Sequence, residues 1–186
     1  MKKLFLLIIL SAAVFTLVSC GSPVPEKQPE SSRPEAGEAL SFIALPYEFT
    51  AEDIYGKPVT EAALGEKQVF FIHYWGTWCP PCVKEMPDLA GIARAYGDRV
   101  GFLGLVDDYA SNLNGVVKIV ESAEIPEWFI MVDADEPSLK PLRDLVRTGY
   151  APSTVLITQD GVSEPLIGAF GGKYGERLDS MLERGN

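Results

Sequence analysis

The stretch that decides the fold of this chain reads Trp75-Gly76-Thr77-Trp78-Cys79-Pro80-Pro81-Cys82. Residues 68–75 form an apolar run of strand length, and residues 80–96 place apolar side chains at helical spacing. The sequence therefore predicts a buried strand, a tight turn and a helix that begins directly after Cys79. A pair of cysteines separated by two residues at such a strand-to-helix turn is typical of a redox site.

The two cysteines are expected to play different parts. At a helix start, Cys79 is predicted to lie beside unpaired backbone N–H groups and the positive end of the helix dipole, which both favour a thiolate. Cys79 is therefore the candidate nucleophile. Cys82, one turn into the helix, is expected to face the interior and to attack a mixed disulfide formed at Cys79, which releases the partner protein in reduced form. The same exchange also runs in the opposite direction.

The residues between the cysteines limit the reactivity of Cys79. Pro80 and Pro81 have no N–H to donate to a thiolate, so the Cys82 amide and thiol and the helix dipole are the stabilising groups that remain. We expect a pKa of Cys79 between that of a free thiol and those of the very acidic thiols of strong oxidants. The pair is accordingly expected to be reducing.

Outward from this turn, strand and helix patterns alternate along the chain. The first two strands flank a turn at 53–57 and the last two flank a turn at 159–161, so both pairs are predicted hairpins. This order predicts an α/β fold with a central mixed sheet covered by helices on both faces. Strands are predicted over 47–50, 58–60, 68–75, 100–106, 128–132, 154–158 and 165–169, and helices over 80–96, 112–123, 138–146 and 173–184.

Composition limits the classes of protein to consider. The chain has 186 residues, of which 47% are hydrophobic and 23% charged, which fits one globular domain and is too apolar for a wholly disordered chain. Three cysteines are too few for a disulfide-stapled mini-protein. A formal net charge of −10 argues against nucleic-acid binding, because phosphates must be neutralised by a basic surface.

The first residues have the pattern of an export signal. A short basic start precedes 15 apolar and small residues, 4–18, a run shorter than the roughly 20 that a membrane-spanning helix needs. The run ends in Leu17-Val18-Ser19-Cys20, which resembles the lipobox of bacterial lipoproteins. We expect residues 1–19 to be removed as a lipoprotein signal peptide and Cys20 to carry a lipid anchor. The alternative is an ordinary signal peptide followed by a chance cysteine.

A tether and a globular domain are predicted to follow. Residues 20–40 hold four prolines, several charges and little to bury, which is typical of a flexible Pro-rich linker with a reach of roughly 25 Å. Residues 41–186 form the domain. Loss of the signal peptide changes the formal net charge from −10 to −12, so we expect an acidic membrane lipoprotein of the cell envelope, on its extracytoplasmic side. Disulfides persist there, and with Cys20 lipidated, Cys79 and Cys82 can pair only with each other.

Several motifs together resemble the TlpA/ResA-like branch of membrane-anchored thiol-disulfide oxidoreductases, which have a thioredoxin fold. The resemblance covers about residues 47–182. It implies a thioredoxin fold with an N-terminal β-hairpin extension, and an oxidoreductase with no cofactor or metal beyond the redox-active disulfide Cys79–Cys82. The matching pieces are Tyr55-Gly56-Lys57-Pro58-Val59, the stretch from Trp75 to Cys82, Glu85 with Pro87, Gly149-Tyr150-Ala151-Pro152-Ser153-Thr154, and Asp160-Gly161.

The resemblance also implies a client-binding surface. In such proteins the proline that matches Pro152 is cis and lies against the cysteine pair, and the backbone at Ala151 pairs with an extended client peptide. Trp78 and Pro80 are expected to complete this surface. The implied partners are client proteins with thiols or disulfides and a membrane thiol-redox partner, and we expect a monomer.

The sequence leaves the direction of electron flow open. Reduction of clients is the role that the resemblance implies most often, for example in preparing the cysteines of apocytochromes for haem attachment. Oxidative folding of clients is the alternative, because direction depends on the potential of the pair relative to its partners.

Two titratable residues near the cysteines are candidate proton carriers. His73, six residues before Cys79, occupies the strand position where thioredoxins have a buried acid. It is interpreted either as a core residue hydrogen-bonded to backbone or as a proton acceptor for Cys82. Glu85, three residues after Cys82 on the same helical face, resembles the buried glutamate of the branch. We expect it to act in catalysis or redox tuning, and the alternative is a solvated surface glutamate.

The remaining candidates have simpler interpretations. Trp75 either belongs to the core or helps Trp78 to shield the sulfurs and form an apolar docking surface. The acidic residues at 107–108 and 133–136 are interpreted as solvated loop ends rather than metal ligands, because no further ligand spacing accompanies them. The aromatic residues expected in the core are Tyr96, Trp128 and Phe129.

Other cysteine chemistry fits the sequence less well. A zinc site needs about four ligands, and Cys79, Cys82 and His73 supply three at most. Haem attachment requires a histidine directly after the second cysteine, where this chain has Val83. Copper delivery on the same fold stays an alternative, with two thiolates and one imidazole as soft ligands. A merely structural disulfide is disfavoured, because closing so short a loop adds little stability.

Overall fold

The computed structural model describes residues 40–183, which lie within the second of the two units into which the chain divides, Pro34–Asn186. The expected signal peptide 1–19, the lipid-bearing Cys20 and the tether up to residue 39 lie outside the described residues. Within 40–183, no helix is both long enough and apolar enough to cross a membrane.

The described residues form a six-stranded sheet, a separate two-stranded hairpin and four α-helices. Two short 3-10 turns, Glu61–Leu64 and Pro137–Leu139, precede β3 and α3. The strands are β1 (Thr50–Glu52), β2 (Pro58–Thr60), β3 (Val69–Trp75), β4 (Val100–Val106), β5 (Phe129–Asp133), β6 (Ser153–Thr158), β7 (Gly161–Val162) and β8 (Leu166–Ile167). The α-helices are α1 (Pro80–Tyr96), α2 (Tyr109–Ser122), α3 (Lys140–Val146) and α4 (Lys173–Leu182).

Strand β3 lies in the middle of the sheet, whose order is β5-β4-β3-β6-β7, with β8 also paired to β6. It runs parallel to β4 and antiparallel to β6, and β4 runs parallel to β5. The predicted mixed sheet is therefore confirmed. The carboxyl end of β3, where the cysteine turn begins, projects from the centre of the sheet rather than from an edge.

The side chains of β3 point alternately into two apolar cores, one on each face of the sheet. Apolar residues at odd positions, from Val69 to Trp75, pack with α1, α2 and α4. Residues at even positions, from Phe70 to Tyr74, pack with α3 and the β1–β2 hairpin. Burial on both faces explains why this strand is apolar at almost every position. Replacing the fully buried Phe71 with alanine should cost about 3–5 kcal/mol of stability.

The predicted N-terminal hairpin is present, with a different first strand. Asp53 Oδ1 accepts hydrogen bonds from the backbone N–H groups of Tyr55 and Lys57, each at 2.9 Å, and these bonds hold the turn. Gly56 in the same turn has a φ of 75°, which residues with a side chain rarely adopt. Strand β1 starts at Thr50 rather than at residue 47, because the three residues of β2 pair with three residues only.

The tip of this hairpin covers part of the outer edge of β5. Asp53 forms a β-bridge with Val132, and the backbone N–H of Ile54 donates to the carbonyl of Met131 at 3.1 Å. The Tyr109 hydroxyl, at the start of α2, donates to the carbonyl of Asp53 at 2.8 Å. The hairpin is thus fixed both to the sheet and to a helix.

Three further elements differ from the sequence prediction by more than one or two residues or in kind. Helix α2 begins at Tyr109 instead of residue 112, and Asn112 lies inside it with a non-helical backbone (φ −144°, ψ 39°). The helix predicted over 138–146 is divided into a 3-10 turn and α3. The strand predicted over 165–169 is shorter, and β6 pairs with two short strands, β7 and β8. Pro165 lies between them and has no N–H to donate to the ladder.

One aromatic residue expected in the core lies at the surface. Trp128 is half exposed, and its indole packs over Gly97 at the end of α1, where a β-carbon would lie 2.8 Å from Trp128 Nε1. Phe129 is buried, as predicted. Tyr96 is half-buried, and its hydroxyl donates to Asp179 Oδ1 at 2.7 Å. The glycine gives the Trp128 indole a flat apolar surface outside the core.

Candidate redox site

Cys79 and Cys82 are joined by a disulfide at the turn between β3 and α1. Cys79 is the N-cap residue of α1, with an extended backbone (φ −102°, ψ 99°), and its Sγ accepts a hydrogen bond from the Cys82 backbone N–H at 3.4 Å. Pro80 and Pro81 occupy the first two helical positions, where a missing N–H costs no intrahelical bond. The predicted strand-to-helix turn is therefore confirmed. Within residues 40–183, the Cys82 amide is the one N–H donor that bonds to Cys79 Sγ.

Exposure distinguishes the residues around the disulfide. Cys82 is fully buried, whereas Cys79 keeps 3% of its surface accessible. Trp78, directly before them, is 57% exposed, and Trp75 is fully buried. Trp78 can therefore offer an apolar docking surface, and Trp75 belongs to the core.

A second loop reaches the same end of the sheet. The Ala151–Pro152 peptide bond is cis, as the resemblance implies. Tyr74 on β3 pairs with Ser153 on β6, so Ala151 and Pro152 lie at the end of the sheet from which the cysteine turn projects. Tyr150, which the sequence pattern does not mark as a site residue, is 68% exposed. This loop thus carries an exposed aromatic side chain, as the cysteine turn does.

The cysteine turn is tied to the start of α2 through Thr77. The Thr77 backbone N–H donates to Asp108 Oδ1 at 2.9 Å, and the Thr77 hydroxyl donates to Asp108 Oδ2. Asn112 Nδ2 donates to the Thr77 hydroxyl oxygen at 2.7 Å. Asp108 makes no side-chain bond that caps its own helix, so its carboxylate holds the cysteine turn instead.

Asp107 holds the exposed side of the turn. Its Oδ2 accepts a hydrogen bond from Trp78 Nε1 at 3.1 Å, and its Oδ1 accepts one from the Tyr74 hydroxyl. Arg147 Nη2 pairs with Asp107 Oδ1 at 3.0 Å, and the guanidinium lies 5.8 Å from the centre of the Tyr74 ring. Burial and the hydrogen bond to Asp107 raise the pKa of Tyr74, which keeps the phenol protonated.

The interpretation of Asp107 and Asp108 as solvated loop ends is therefore corrected. Both are half-buried partners of the cysteine turn. Asp135, after β5, is exposed as expected, and it pairs with Arg143 at 3.1 Å and with Arg147 at 3.3 Å. The signal available in the sequence is the position of these aspartates directly after strands parallel to β3, because the carboxyl ends of parallel strands meet at one end of a sheet.

On the buried side of the turn, Glu85 and His73 face one another. Both side chains are buried, and Glu85 Oε1 lies 3.6 Å from His73 Nε2, beyond hydrogen-bond distance. Glu85 shares the buried face of α1 with Cys82, so the surface-glutamate alternative is wrong. His73 Nδ1 lies 2.9 Å from Thr154 Oγ1. The partner of this ring nitrogen is a side chain, so the expectation of a backbone partner for His73 is wrong.

Burial shifts the protonation of both residues. It raises the pKa of Glu85 to about 7; the backbone N–H groups of Gly171 and Phe170 lower it by less, and Asp88 raises it further. Neither Glu85 oxygen reaches hydrogen-bonding geometry with a protein group among the described residues. Burial lowers the pKa of His73 to about 3, so the imidazole is neutral at neutral pH. Glu85 is therefore the group on this side of the turn that exchanges a proton close to neutral pH.

The part of the chain that the structure describes contains no group of three or more Cys, His, Asp or Glu side chains placed to hold a metal ion. Cys79, Cys82 and His73, the soft ligands of a copper site, are not assembled into such a group. The arrangement fits disulfide exchange, with one sulfur at a helix start, a buried second sulfur and an ionisable carboxyl one turn further on.

Comparison with known proteins gives matches in both sequence and fold. The Redoxin family matches residues 35–163. Thiol-disulfide oxidoreductase ResA of Bacillus thuringiensis is 34% identical over 184 residues, which cover 98% of this chain and 94% of the relative. ResA of Bacillus subtilis is 48% identical over 113 residues, which cover 61% of this chain and 59% of the relative. A solved thiol:disulfide interchange protein of the thioredoxin family from Chlorobium tepidum aligns with a TM-score of 0.61 and 20% identity over 80% of this chain and 99% of its own, which confirms the predicted fold.

Proposed function

Because this chain belongs to the Redoxin family and is a ResA-like thiol-disulfide oxidoreductase, we propose that it reduces disulfides of client proteins through Cys79 and Cys82. The observation that supports the reducing direction is the small number of donors at Cys79. Its Sγ accepts one N–H bond, from Cys82 at 3.4 Å, and the two prolines between them have no N–H to add. A pair is strongly oxidising when its reduced form is well stabilised, so few donors to the thiolate favour a low potential.

In the proposed cycle, the Cys79 thiolate attacks one sulfur of a client disulfide and expels the other as a thiolate, which takes up a proton. Cys82 then loses its proton and attacks Cys79 Sγ, which breaks the mixed disulfide and releases the second client thiol. Two electrons pass to the client, and the Cys79–Cys82 disulfide of the described structure is left. A dithiol of a membrane redox partner returns the two electrons by the same exchange in reverse.

We assign the proton of Cys82 to Glu85. Cys82 is fully buried, so its proton needs an acceptor within the protein. Glu85 lies on the same buried face of α1, and with a pKa of about 7 it accepts and releases a proton near neutral pH. His73 has a pKa of about 3 and therefore stays neutral. We assign it an influence on the Glu85 carboxyl and not the role of proton acceptor for Cys82.

Client binding is assigned to the two loops at the end of β3. Ala151 and Pro152 directly precede β6 without belonging to it, so the backbone at Ala151 is placed to pair with an extended peptide. Trp78 and Tyr150 supply exposed aromatic surface on the two loops, and Pro80 is exposed beside the disulfide. Such aromatic side chains can bury a large apolar area against a client.

The cell envelope is the proposed location, with a lipid on Cys20 as the anchor and a monomeric domain on the extracytoplasmic side. The apolar run 4–18, the lipobox-like ending and the Pro-rich tether support this proposal. Oxidised cysteine pairs of apocytochromes are the proposed client class. Mass spectrometry of the native membrane fraction should find a chain that starts at Cys20 and carries acyl groups. An unmodified chain beginning at another residue would exclude the anchor.

The reduction potential of the full chain tests the direction. Equilibrium with a thiol buffer should give a value nearer the roughly −270 mV of reducing thioredoxin-type pairs than the roughly −120 mV of strong oxidants. A thiolate titration in the ultraviolet should likewise find Cys79 less acidic than the thiols of those oxidants. A potential near the oxidant value would overturn the reducing role and support oxidative folding.

A further inference from the structure

A row of buried polar side chains runs from helix α4 to the redox site. The Tyr174 hydroxyl lies 3.0 Å from Thr154 Oγ1, and Thr154 Oγ1 lies 2.9 Å from His73 Nδ1. On the other side of the ring, His73 Nε2 lies 3.6 Å from Glu85 Oε1. All four residues are buried, and they come from α4, β6, β3 and α1. Buried polar groups are nearly always hydrogen-bonded, so the direction of each contact in this row affects its energy.

The number of donor protons in this row determines the direction in which its hydrogen bonds run. A neutral imidazole carries one N–H and each hydroxyl carries one O–H, so each of the three groups donates once. The Tyr174 O–H has no acceptor other than Thr154 Oγ1 among the described residues, so it donates to Thr154. Thr154 then donates to His73 Nδ1, which places the imidazole proton on Nε2, facing Glu85.

The reverse direction of these hydrogen bonds leaves His73 Nε2 and the Tyr174 O–H without suitable partners. When Glu85 is ionised and the imidazole proton is on Nδ1, the lone pair of His73 Nε2 faces the carboxylate oxygens and repels them. Thr154 would then donate to Tyr174, whose own O–H has no other acceptor among the described residues. An unsatisfied buried donor is costly, so the order that ends on Nε2–H is favoured.

We propose that Tyr174 and Thr154 are positioning residues that hold His73 in the Nε2–H tautomer, and that this N–H stabilises the Glu85 carboxylate. The inference deepens the proposed function and rests on it, because Glu85 is there assigned the proton of Cys82. At 3.6 Å, the N–H and the carboxylate interact electrostatically rather than through a full hydrogen bond. Burial strengthens such an interaction, because the local dielectric constant is low.

No other side chain around Glu85 offers the same interaction, although two backbone N–H groups also favour the carboxylate. Asp88 on α1 raises the pKa of Glu85, and Tyr174 on α4 is too weak an acid to ionise near neutral pH. Backbone N–H groups of residues 170–171 face the carboxyl from the loop before α4. Lys84, next to Glu85 on α1, is exposed, and the reduced thiols at the start of the helix have no N–H. Among these, His73 is the buried side chain with an N–H to offer.

The tautomer can be measured directly. His73 is the only histidine in the chain, so a histidine label observed by nitrogen NMR reports one ring. In the oxidised full chain at about pH 9, where Glu85 is ionised, we expect Nδ1 to be unprotonated and Nε2 protonated. In Tyr174→Phe, Thr154 loses its donor, and we expect the ring to move towards the Nδ1–H form. A wild-type ring protonated on Nδ1, or an unchanged ring in Tyr174→Phe, would overturn the inference.

The Glu85 carboxyl gives a second measurement that a purely structural role would not affect. Carbon NMR of labelled glutamate, assigned with Glu85→Gln, should show the acid dissociation constant of Glu85 falling roughly fivefold in Tyr174→Phe. Tyr96→Phe is the matched control, because the Tyr96 hydroxyl also joins the end of α1 to α4, through Asp179 at 2.7 Å. This control should change neither signal. Equal changes in both variants would indicate general loosening and contradict the positioning role.

Neither measurement uses a client, so their outcome is separate from that of the proposed function. If the tautomer changes as expected but the pair is strongly oxidising, the reducing role fails and the positioning role stands. If Tyr174→Phe leaves both NMR signals unchanged in an enzyme with a low potential, the positioning role fails and the reducing role stands.

Discussion

The indole N–H of Trp78 donates to Asp107 Oδ2 at 3.1 Å, so the exposed aromatic side chain beside the disulfide is held by the residue that follows β4. Asp107→Ala removes this bond together with those from Tyr74 and Arg147. If Trp78 binds clients, we expect the KM for a client disulfide to rise about threefold to tenfold, with little change in kcat, in steady-state kinetics.

Asp135→Ala is the control for this effect. It removes a carboxylate 3.3 Å from Arg147 Nη1 and contacts neither Trp78 nor the cysteine turn. Its KM should equal that of the wild type. The same rise in KM in both variants would indicate that charge, and not the orientation of Trp78, determines client binding.

Replacing Cys79 and replacing Cys82 should have different effects on disulfide exchange. Cys79→Ala should abolish disulfide exchange, whereas Cys82→Ala should retain the first attack and accumulate mixed disulfides with clients, because no thiol resolves them. Cys79 keeps some exposure and Cys82 none, so an alkylating reagent should label Cys79 faster in the reduced protein. Faster labelling of Cys82 would reverse the two roles.

Glu85→Gln should change how stability depends on pH. The pKa of Glu85 is raised from 4.5 to about 7 in the folded protein. Between these values the folded state keeps a proton that the unfolded chain has lost, so stability falls as pH rises, and the loss is complete above about pH 7. In urea unfolding we expect Glu85→Gln to be more stable than wild type by up to about 2 kcal/mol near pH 8. The two should differ little near pH 4.

His73 makes stability depend on pH in the opposite direction. Its pKa is lowered from 6.5 to about 3, so between these values the unfolded chain binds a proton that the folded state excludes, and stability rises with pH. The two slopes oppose each other between about pH 4.5 and 6.5, where wild-type stability should be nearly flat. In Glu85→Gln, the free energy of unfolding should rise with pH over this range, because the contribution of His73 is no longer offset. A flat curve in that variant would contradict the neutral, buried state of His73.

Thr77→Val tests the link between the cysteine turn and α2. It removes the hydroxyl that bonds to Asp108 and Asn112, and we expect a loss of about 1–2 kcal/mol of stability. Amide hydrogen exchange over residues 109–112 should become faster. Ser111→Ala is the control, because the Ser111 hydroxyl donates to the Asp108 carbonyl at 3.2 Å on the exposed side. It should stay within about 0.5 kcal/mol of wild type. Equal losses in both variants would exclude a special role of Thr77.

Local interactions made part of the site predictable. Helix α1 runs from Pro80 to Tyr96 as its apolar spacing predicts, because the prolines at its start and the side chains along it act within one or two turns. The burial of Glu85 follows from the same spacing, since it shares a face with Cys82. The cysteine turn is predictable for the same reason.

Contacts between distant segments could not be predicted in this way. Thr154 lies 81 positions from His73, and nothing in the sequence around either residue shows that their side chains meet. Asp107 and Asp108 read as polar loop ends until the sheet order places them beside Trp78 and Thr77. The sequence therefore identifies the sulfurs and the carboxyl, and the fold supplies the residues that orient them.

The hairpin tip that lies on β5 affects how this molecule meets other extended chains. An open edge strand presents unpaired N–H and C=O groups to any polypeptide that can lie alongside it, including a second copy of the same protein. Asp53 and Ile54 occupy part of that row on β5. The hairpin tip therefore leaves fewer backbone groups of β5 open to strand addition, whereas the backbone at Ala151 stays outside the ladder, where we propose that clients pair.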